Sequence, residues 1–154
     1  MSWAVSAKLL GSRILARHRP DVIWSTYPIP SAHLIGKDLS RRARVPWIAD
    51  FRDPMAQDGY PSDPRLWQAF ARIEADTIRN AVFSVFTAES AARTYRERYP
   101  GYASRITTIE NGFDEASFEG VVPRRAAEDT GRLLMVHSGI VYPADRDPPT
   151  PPHP

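Results

Sequence analysis

Hydrophobic and polar positions follow two different periods between residues 21 and 109. Short, mostly apolar runs are typical of parallel strands buried on both faces, whereas apolar positions that recur every three or four residues indicate helices. The predicted strands are 21–26, 45–51, 82–87 and 105–109, and the predicted helices are 3–17, 31–43, 64–80 and 89–99. This alternation predicts an α/β fold, with a Rossmann-like parallel sheet, right-handed crossovers and flanking helices.

Caps and inward faces can be predicted for three of the helices. Asp63 and Pro64 form an N-cap and first-residue pair, and Ser31 is a plausible N-cap for the helix that follows it. The first helix is expected to turn inward Trp3, Ala7, Leu10, Ile14 and Leu15. The second is expected to turn inward Ala32, Ile35, Leu39 and Ala43. Each helix should therefore bury one face.

Composition is that of an ordinary globular protein with one sizeable core. The 154 residues are 42% hydrophobic and 25% charged. The absence of cysteine excludes disulfides, thiolate metal sites and a cysteine nucleophile, and it fits a reducing cytosol. The sequence has neither an apolar run of membrane-spanning length nor a signal-peptide core near residue 1. We therefore predict a cytoplasmic location, with peripheral attachment to the inner face of the membrane as an open alternative.

Positive charge is concentrated in the first third of the chain. Residues 1–49 contain eight lysines and arginines against two aspartates. Solvated helix ends explain such a distribution best, because basic groups complement helix C-termini. Anionic lipid headgroups and phosphates remain alternative partners. Nucleic acid is not predicted as a partner, because the sequence has no nucleic-acid-binding motif and no interleaved basic and aromatic stripe.

Several familiar sites are excluded by inspection of the sequence. It contains neither a dinucleotide fingerprint, nor a Walker loop, nor a nucleophile elbow. The four histidines have no metal-ligand spacing, so neither a metal nor a cofactor is predicted. Ligands of open α/β sheets bind outside the carboxyl ends of the strands, and candidate residues should be sought there.

The most informative of these strand ends is the segment Asp50-Phe51-Arg52-Asp53-Pro54. Its two carboxylates and one guanidinium could position a base, bind hydroxyl groups or form a structural ion pair. Tyr27 and His33 flank the preceding loop, where either could stack on a sugar or hydrogen-bond to it. For His33, which lies inside a predicted helix, a structural role is favoured.

Two glycine turns are weaker candidates. Asn111-Gly112 most often supplies only a turn with positive φ. Ser138-Gly139 follows a predicted strand, where glycine can expose backbone N–H groups to a phosphate, although such a pair is more often a simple turn.

The segments 19–24, 45–54, 109–114 and 136–139 together resemble GT-B glycosyltransferases of the family 4 type, in order and in spacing. The resemblance covers about residues 19–147. It implies two Rossmann-like domains that face each other across a cleft, the first holding the acceptor and the second the nucleotide-sugar. The roles that it implies are catalysis for Asp50 and Asp53, acceptor binding for Arg52 and Tyr27, an interdomain turn for Asn111 and Gly112, and proximity to the donor phosphates for Ser138 and Gly139.

The resemblance, the polar composition before residue 132 and the six prolines among the last twelve residues together predict the division of the chain. Residues 1–118 form an incomplete acceptor-side domain, 119–131 a linker, 132–142 the first strand and turn of a truncated second domain, and 143–154 a proline-rich disordered tail. The implied reaction transfers a sugar from a nucleotide-sugar donor to a glycan or lipid-linked acceptor, as in polysaccharide biosynthesis. The isolated chain is expected to be inactive, because the donor side is missing. The alternatives are a noncatalytic module that binds a glycan, a nucleotide-sugar or a membrane surface, and a truncated product without function.

Overall fold

A computed structural model describes residues 2–121. The helices and strands are, in chain order, α1 (Ser2–His18), β1 (Ile23–Thr26), α2 (Ser31–Ala43), β2 (Trp47–Arg52), α3 (Pro64–Asn80), β3 (Phe83–Phe86), α4 (Glu89–Arg98) and β4 (Ile106–Thr108). Short 3₁₀ helices follow at Pro100–Arg105 and Glu115–Phe118. The chain divides into two units, Met1–Phe113 and Asp114–Pro154. Most of the linker predicted at 119–131, the strand predicted within 132–142 and the tail predicted at 143–154 lie outside the described residues.

The strands form one parallel sheet in the order β1-β2-β3-β4. This confirms the predicted α/β class with a Rossmann-like parallel sheet. Neighbouring strands are consecutive in the sequence, so right-handed crossovers place α2, α3 and α4 on the same face. The strand residues of that face are buried, among them Trp47, Ala49 and Phe86.

Within residues 2–113, part of the opposite face of the sheet is uncovered, although Val85 on that face is only 3% exposed. Trp24, Ile48 and Phe83 lie side by side there in register, and Trp24 is 52% exposed and Phe83 47% exposed. The expectation of burial on both faces is therefore wrong for β1, whose residues alternate between buried and exposed, whereas Ser84, Val85 and Phe86 of β3 are all buried. The reason is the sequential strand order, which sends successive crossovers to one side.

The core beneath the helices is largely aromatic. The rings of Phe51 and Phe86 stack at 5.1 Å between centroids, and Tyr95 of α4 lies 5.5 Å from the first and 4.4 Å from the second. All three side chains have 0% exposure. This cluster fixes β2, β3 and α4 to one another just below the carboxyl edge of the sheet.

Helix α1 packs against α2 over only part of the predicted face: Ala7 and Leu15 are partly buried, and Leu15 packs against the core. A Cβ atom on Gly11 would lie 2.7 Å from Cδ1 of Leu39, so a larger residue at this position would have to displace the Leu39 side chain. The predicted inward residues Trp3, Leu10 and Ile14 are instead about half exposed. The helix predicted from the apolar spacing is confirmed, but only part of its apolar face is buried.

Helix α2 also differs from its prediction. Its buried residues are His33 and Gly36, whereas the predicted inward residues Ala32, Ile35, Leu39 and Ala43 are only partly buried. Ser31 is the first helical residue rather than the cap, and Pro30 precedes it without a side-chain hydrogen bond. A Cβ on Gly36 would come within 2.7 Å of Nε1 of Trp47, so glycine lets the helix lie close to the sheet.

The prediction for α3 is confirmed. Asp63 accepts hydrogen bonds from the backbone N–H groups of Arg65, at 2.7 Å, and Leu66, at 3.2 Å. Pro64 is the first helical residue and Asn80 the last. Among the helices of residues 2–121, none combines the length and apolar character needed to cross a bilayer.

Candidate functional site

An open cleft of about 290 Å³ lies at the carboxyl edge of the sheet, between the ends of β2 and β3. The parallel strands all end at this edge, where open α/β sheets bind ligands. One wall is the turn after β2 and the other is the first part of α4. The lining residues are Arg52, Asp53, Pro54, Ala88, Ser90, Ala91 and Thr94.

The turn after β2 has a strained backbone. Arg52 has a φ of 57°, in the left-handed region that side-chain-bearing residues rarely adopt, and the sheet register shifts between Asp50 and Arg52. The Arg52 carbonyl accepts hydrogen bonds from Thr87 N–H, at 3.2 Å, and Thr87 Oγ1, at 2.9 Å. These hydrogen bonds hold Arg52 in its strained conformation. The side chains of Arg52 and Asp53 are exposed beside the cleft.

The wall formed by α4 begins without a side-chain cap, because Ala88 precedes the helix. Glu89 is bound instead by Arg96 Nη1 and Thr108 Oγ1, both at 2.6 Å, and these hydrogen bonds, that of Arg96 first, lower its pKa. Ser90 and Thr94 bring hydroxyl groups to the cleft. The cleft therefore combines a carboxylate, a guanidinium and two hydroxyls, which is a set suited to a polyhydroxylated ligand.

A buried carboxylate lies behind the cleft. Glu74 of α3 is 1% exposed and accepts four hydrogen bonds within residues 2–121. The donors are Tyr95 Oη, Tyr99 Oη at 2.7 Å, Arg98 Nη1 at 2.8 Å and the backbone N–H of Ala56 at 3.0 Å. The buried charge is thus paired and fully hydrogen-bonded.

The groups around Glu74 keep the protonation states that the network needs. Burial, followed by the charge and hydrogen bond of Glu74, raises the pKa values of Tyr95 and Tyr99 far above their usual range. Burial alone would lower the pKa of Arg98, but its hydrogen bond to Glu74 and the carboxylate charge raise it. Both tyrosines therefore remain neutral donors and the arginine remains charged.

Sequence reasoning missed Glu74, although a signal was present. The residue lies four positions after Phe70 and four before Ile78, so it falls on the apolar stripe of α3 rather than on the solvent face. A lone carboxylate on such a stripe indicates a buried, partnered charge.

Of the predicted catalytic pair, only Asp53 lines the cleft. Asp50 is half-buried in β2, and its Oδ2 accepts a hydrogen bond of 2.9 Å from Thr26 Oγ1 on the neighbouring strand. The ion pairs within residues 2–121 do not join Arg52 to either aspartate. The structure thus brings together Arg52 and Asp53 and leaves Asp50 apart.

The remaining candidates are placed as follows. Tyr27 is 4% exposed, and burial, followed by the neighbouring Tyr60, raises its pKa to about 12. Its role in acceptor binding stays a prediction, which this buried position does not favour. Asn111 and Gly112 are exposed after β4. Ser138 and Gly139 lie outside the described residues.

His33 is fully buried next to the core. Its Nδ1 lies 2.8 Å from Ser25 Oγ, and that oxygen accepts a hydrogen bond of 2.8 Å from Trp47 Nε1. Whether Ser25 Oγ or His33 Nδ1 is the donor depends on the tautomer of the ring, and Nε2 has no hydrogen-bond partner among the described residues. Within that part of the chain, no group of three or more potential ligands could hold a metal ion.

Comparisons with known proteins agree with this architecture. The family model described as a glycosyl transferase 4-like domain matches residues 1–112. Among solved structures, the chain resembles HepE from Anabaena, crystallised in complex with UDP, at 21% sequence identity and a TM-score of 0.53. The alignment covers 71% of this chain and 28% of HepE, so the chain spans less than a third of that protein. A search of curated proteins gave no significant match.

Proposed function

This chain belongs to the family of glycosyl transferase 4-like domains, and from that premise we propose that its cleft binds the acceptor in a sugar-transfer reaction. The observation that carries the proposal is the strained turn after β2, which holds Arg52 and Asp53 together at the carboxyl edge of a parallel sheet. A volume of about 290 Å³ suits a single sugar unit better than a whole nucleotide-sugar.

In the proposed reaction, Asp53 acts as the base. The acceptor hydroxyl oxygen attacks the anomeric carbon of the donor, its proton passes to the Asp53 carboxylate, and the bond from the anomeric carbon to the phosphate oxygen breaks to release a nucleoside diphosphate. Arg52, Ser90 and Thr94 would orient the acceptor through hydrogen bonds. Asp50 is not assigned this role, because it is bonded to Thr26 away from the cleft.

The donor side is proposed to come from a second domain. The family resemblance implies a nucleotide-sugar, and HepE was crystallised with UDP. Because this chain spans 28% of HepE, we expect it to bind an acceptor but not to transfer sugar by itself. Polysaccharide biosynthesis in the cytoplasm is the proposed setting, and glycans or lipid-linked sugars are the proposed acceptors.

Replacing Asp53 with asparagine should weaken acceptor binding about tenfold, because a charged hydrogen-bond acceptor becomes an amide. The measurement is a nuclear magnetic resonance titration of the chain with methyl glycosides of the common hexoses. Asp58→Asn is the matched control, since Asp58 is exposed in the same loop but does not line the cleft. Equal affinities of the parent and the Asp53 variant, or failure of the parent to bind any glycoside, would contradict the proposal.

A second candidate function is attachment to an anionic membrane surface. Helix α1 contains no acidic residue, and it exposes Leu9, Leu10 and Ile14 together with Arg13 and Arg17. Apolar side chains next to cations are typical of helices that lie in the membrane interface. Lys8 contributes less, because it is paired with Asp38.

Vesicle binding tests this second function. We expect the chain to sediment with phosphatidylglycerol vesicles at low salt and to be released as the salt concentration rises. The double variant Arg13→Gln/Arg17→Gln should bind the vesicles more weakly than the parent chain. The control is Arg65→Gln/Arg72→Gln, which removes two exposed charges from α3. Binding that is independent of salt, or lost equally in both variants, would count against a surface formed by α1.

A further inference from the structure

The Glu74 network connects the two walls of the cleft. On one side, the Ala56 N–H donates to Glu74 Oε2 at 3.0 Å, and the Met55 N–H donates to Tyr95 Oη at 2.8 Å. Met55 and Ala56 follow Asp53 by two and three residues, and their side chains are 0% and 1% exposed. The turn that carries Asp53 is therefore tied to a buried carboxylate.

On the other side, the network binds α4. Tyr95 donates to Glu74 Oε2, and Arg98 Nη1 donates both to Glu74 Oε1 and to the Ala56 carbonyl, each at 2.8 Å. Tyr95 lies next in sequence to Thr94, which lines the cleft. A single carboxylate thus joins α3, the turn after β2 and the helix that forms the opposite wall.

We infer that Glu74 is a positioning residue of the cleft, which sets the separation between the turn carrying Arg52 and Asp53 and the first part of α4. This inference rests on the proposed acceptor function for its consequence but not for its geometry. The carboxylate acts through its charge and its two acceptor oxygens, on which four donors converge. Among the described residues, the backbone N–H groups of Met55 and Ala56 have hydrogen-bond partners only in the Glu74 network. Glu74 lies beyond the lining of the cleft and touches no acceptor itself.

A purely structural carboxylate would behave differently. If Glu74 only stabilised the fold, its removal would loosen all parts of the domain alike. A positioning residue must instead loosen the turn at 53–57 more than the sheet, and it must change acceptor binding when the sheet is intact.

The test compares three variants by amide hydrogen exchange and by glycoside titration of the whole chain. Glu74→Gln keeps the side-chain volume but turns an amide group toward the converging donors. Tyr95→Phe keeps the buried ring and removes the hydroxyl that bridges Met55 and Glu74. Tyr99→Phe is the matched control, because Tyr99 donates to the same carboxylate but makes no hydrogen bond to the turn within the described residues.

We expect Glu74→Gln and Tyr95→Phe to speed exchange at the Met55 and Ala56 amides about tenfold, with the amides of Ala49 and Val85 changed less than about twofold. Both variants should also weaken glycoside binding, whereas Tyr99→Phe should lower the melting temperature and leave amide exchange and glycoside binding unchanged.

Uniformly faster amide exchange across turn and sheet, or faster exchange of the turn in Tyr99→Phe as well, would overturn the inference. If Glu74→Gln does not fold, Tyr95→Phe decides by the same criteria. A parent chain that binds no glycoside contradicts the acceptor function, and the exchange data then decide the positioning role alone.

Discussion

Phe51→Ala is expected to lower the free energy of unfolding by about 4 kcal/mol. Phe51 has 0% exposure and contacts three rings, those of His33, Phe86 and Tyr95, at centroid distances of 4.9, 5.1 and 5.5 Å. Truncation would leave a cavity between the sheet and α4 that rigid neighbours cannot fill. Domains are usually stable by only about 5–15 kcal/mol, so the loss is a large fraction of the total.

Urea unfolding at fixed pH measures this effect, with Phe83→Ala as the matched control. Phe83 lies on the partly uncovered face of the sheet and is 47% exposed, so its truncation should cost about 1 kcal/mol or less. The difference in cost tests the assignment of the two faces. Comparable losses for both variants would mean that the partly uncovered face is buried in solution.

Acidification should destabilise the domain through His33. Burial lowers the pKa of His33 from its ordinary 6.5 to about 4, and the nearby Asp50 only partly opposes this. The unfolded state therefore binds a proton at a higher pH than the folded state does. The contribution of neutral, buried His33 to the free energy of unfolding is fully present above about pH 6.5. It is lost as the pH drops toward about 4, by about 3 kcal/mol in total.

The comparison of parent and His33→Gln isolates this contribution. Glutamine can hydrogen-bond to Ser25 but cannot be protonated, so the unfolding free energy of the variant should depend less on pH between 6.5 and about 4. Carboxylates titrate in both proteins and cancel in the difference. Identical slopes for the parent and His33→Gln would show that His33 is not buried in its neutral form.

Local patterns predicted the elements well because the signals lie within a few residues of each other. The cap formed by Asp63 and Pro64 fixed the start of α3, and short apolar runs located all four strands of the described sheet. The parallel arrangement followed from the alternation of strands and helices. Each of these features depends on backbone chemistry that neighbouring residues determine.

The parts that the sequence did not predict depend on distant partners. Gly36 lets α2 lie close to the sheet, and a count of apolar positions gives small residues no weight. The separation of Asp50 from Asp53 follows from the irregular turn at Arg52, which the sequence pattern does not reveal. The role of Glu74 could not be predicted without knowing that Tyr95 and Arg98 of α4, and Tyr99 directly after it, donate hydrogen bonds to its carboxylate.

The cleft at the carboxyl ends of β2 and β3 is proposed to bind a sugar acceptor. The most direct test is to map the amide chemical shifts of the isotope-labelled chain during titration with methyl glycosides and, separately, with UDP. We predict that the glycosides shift the amides of 52–53 and 88–94, while UDP leaves these amides unchanged. Glycoside shifts confined to other parts of the chain, or UDP shifts at these same amides, would contradict the claim.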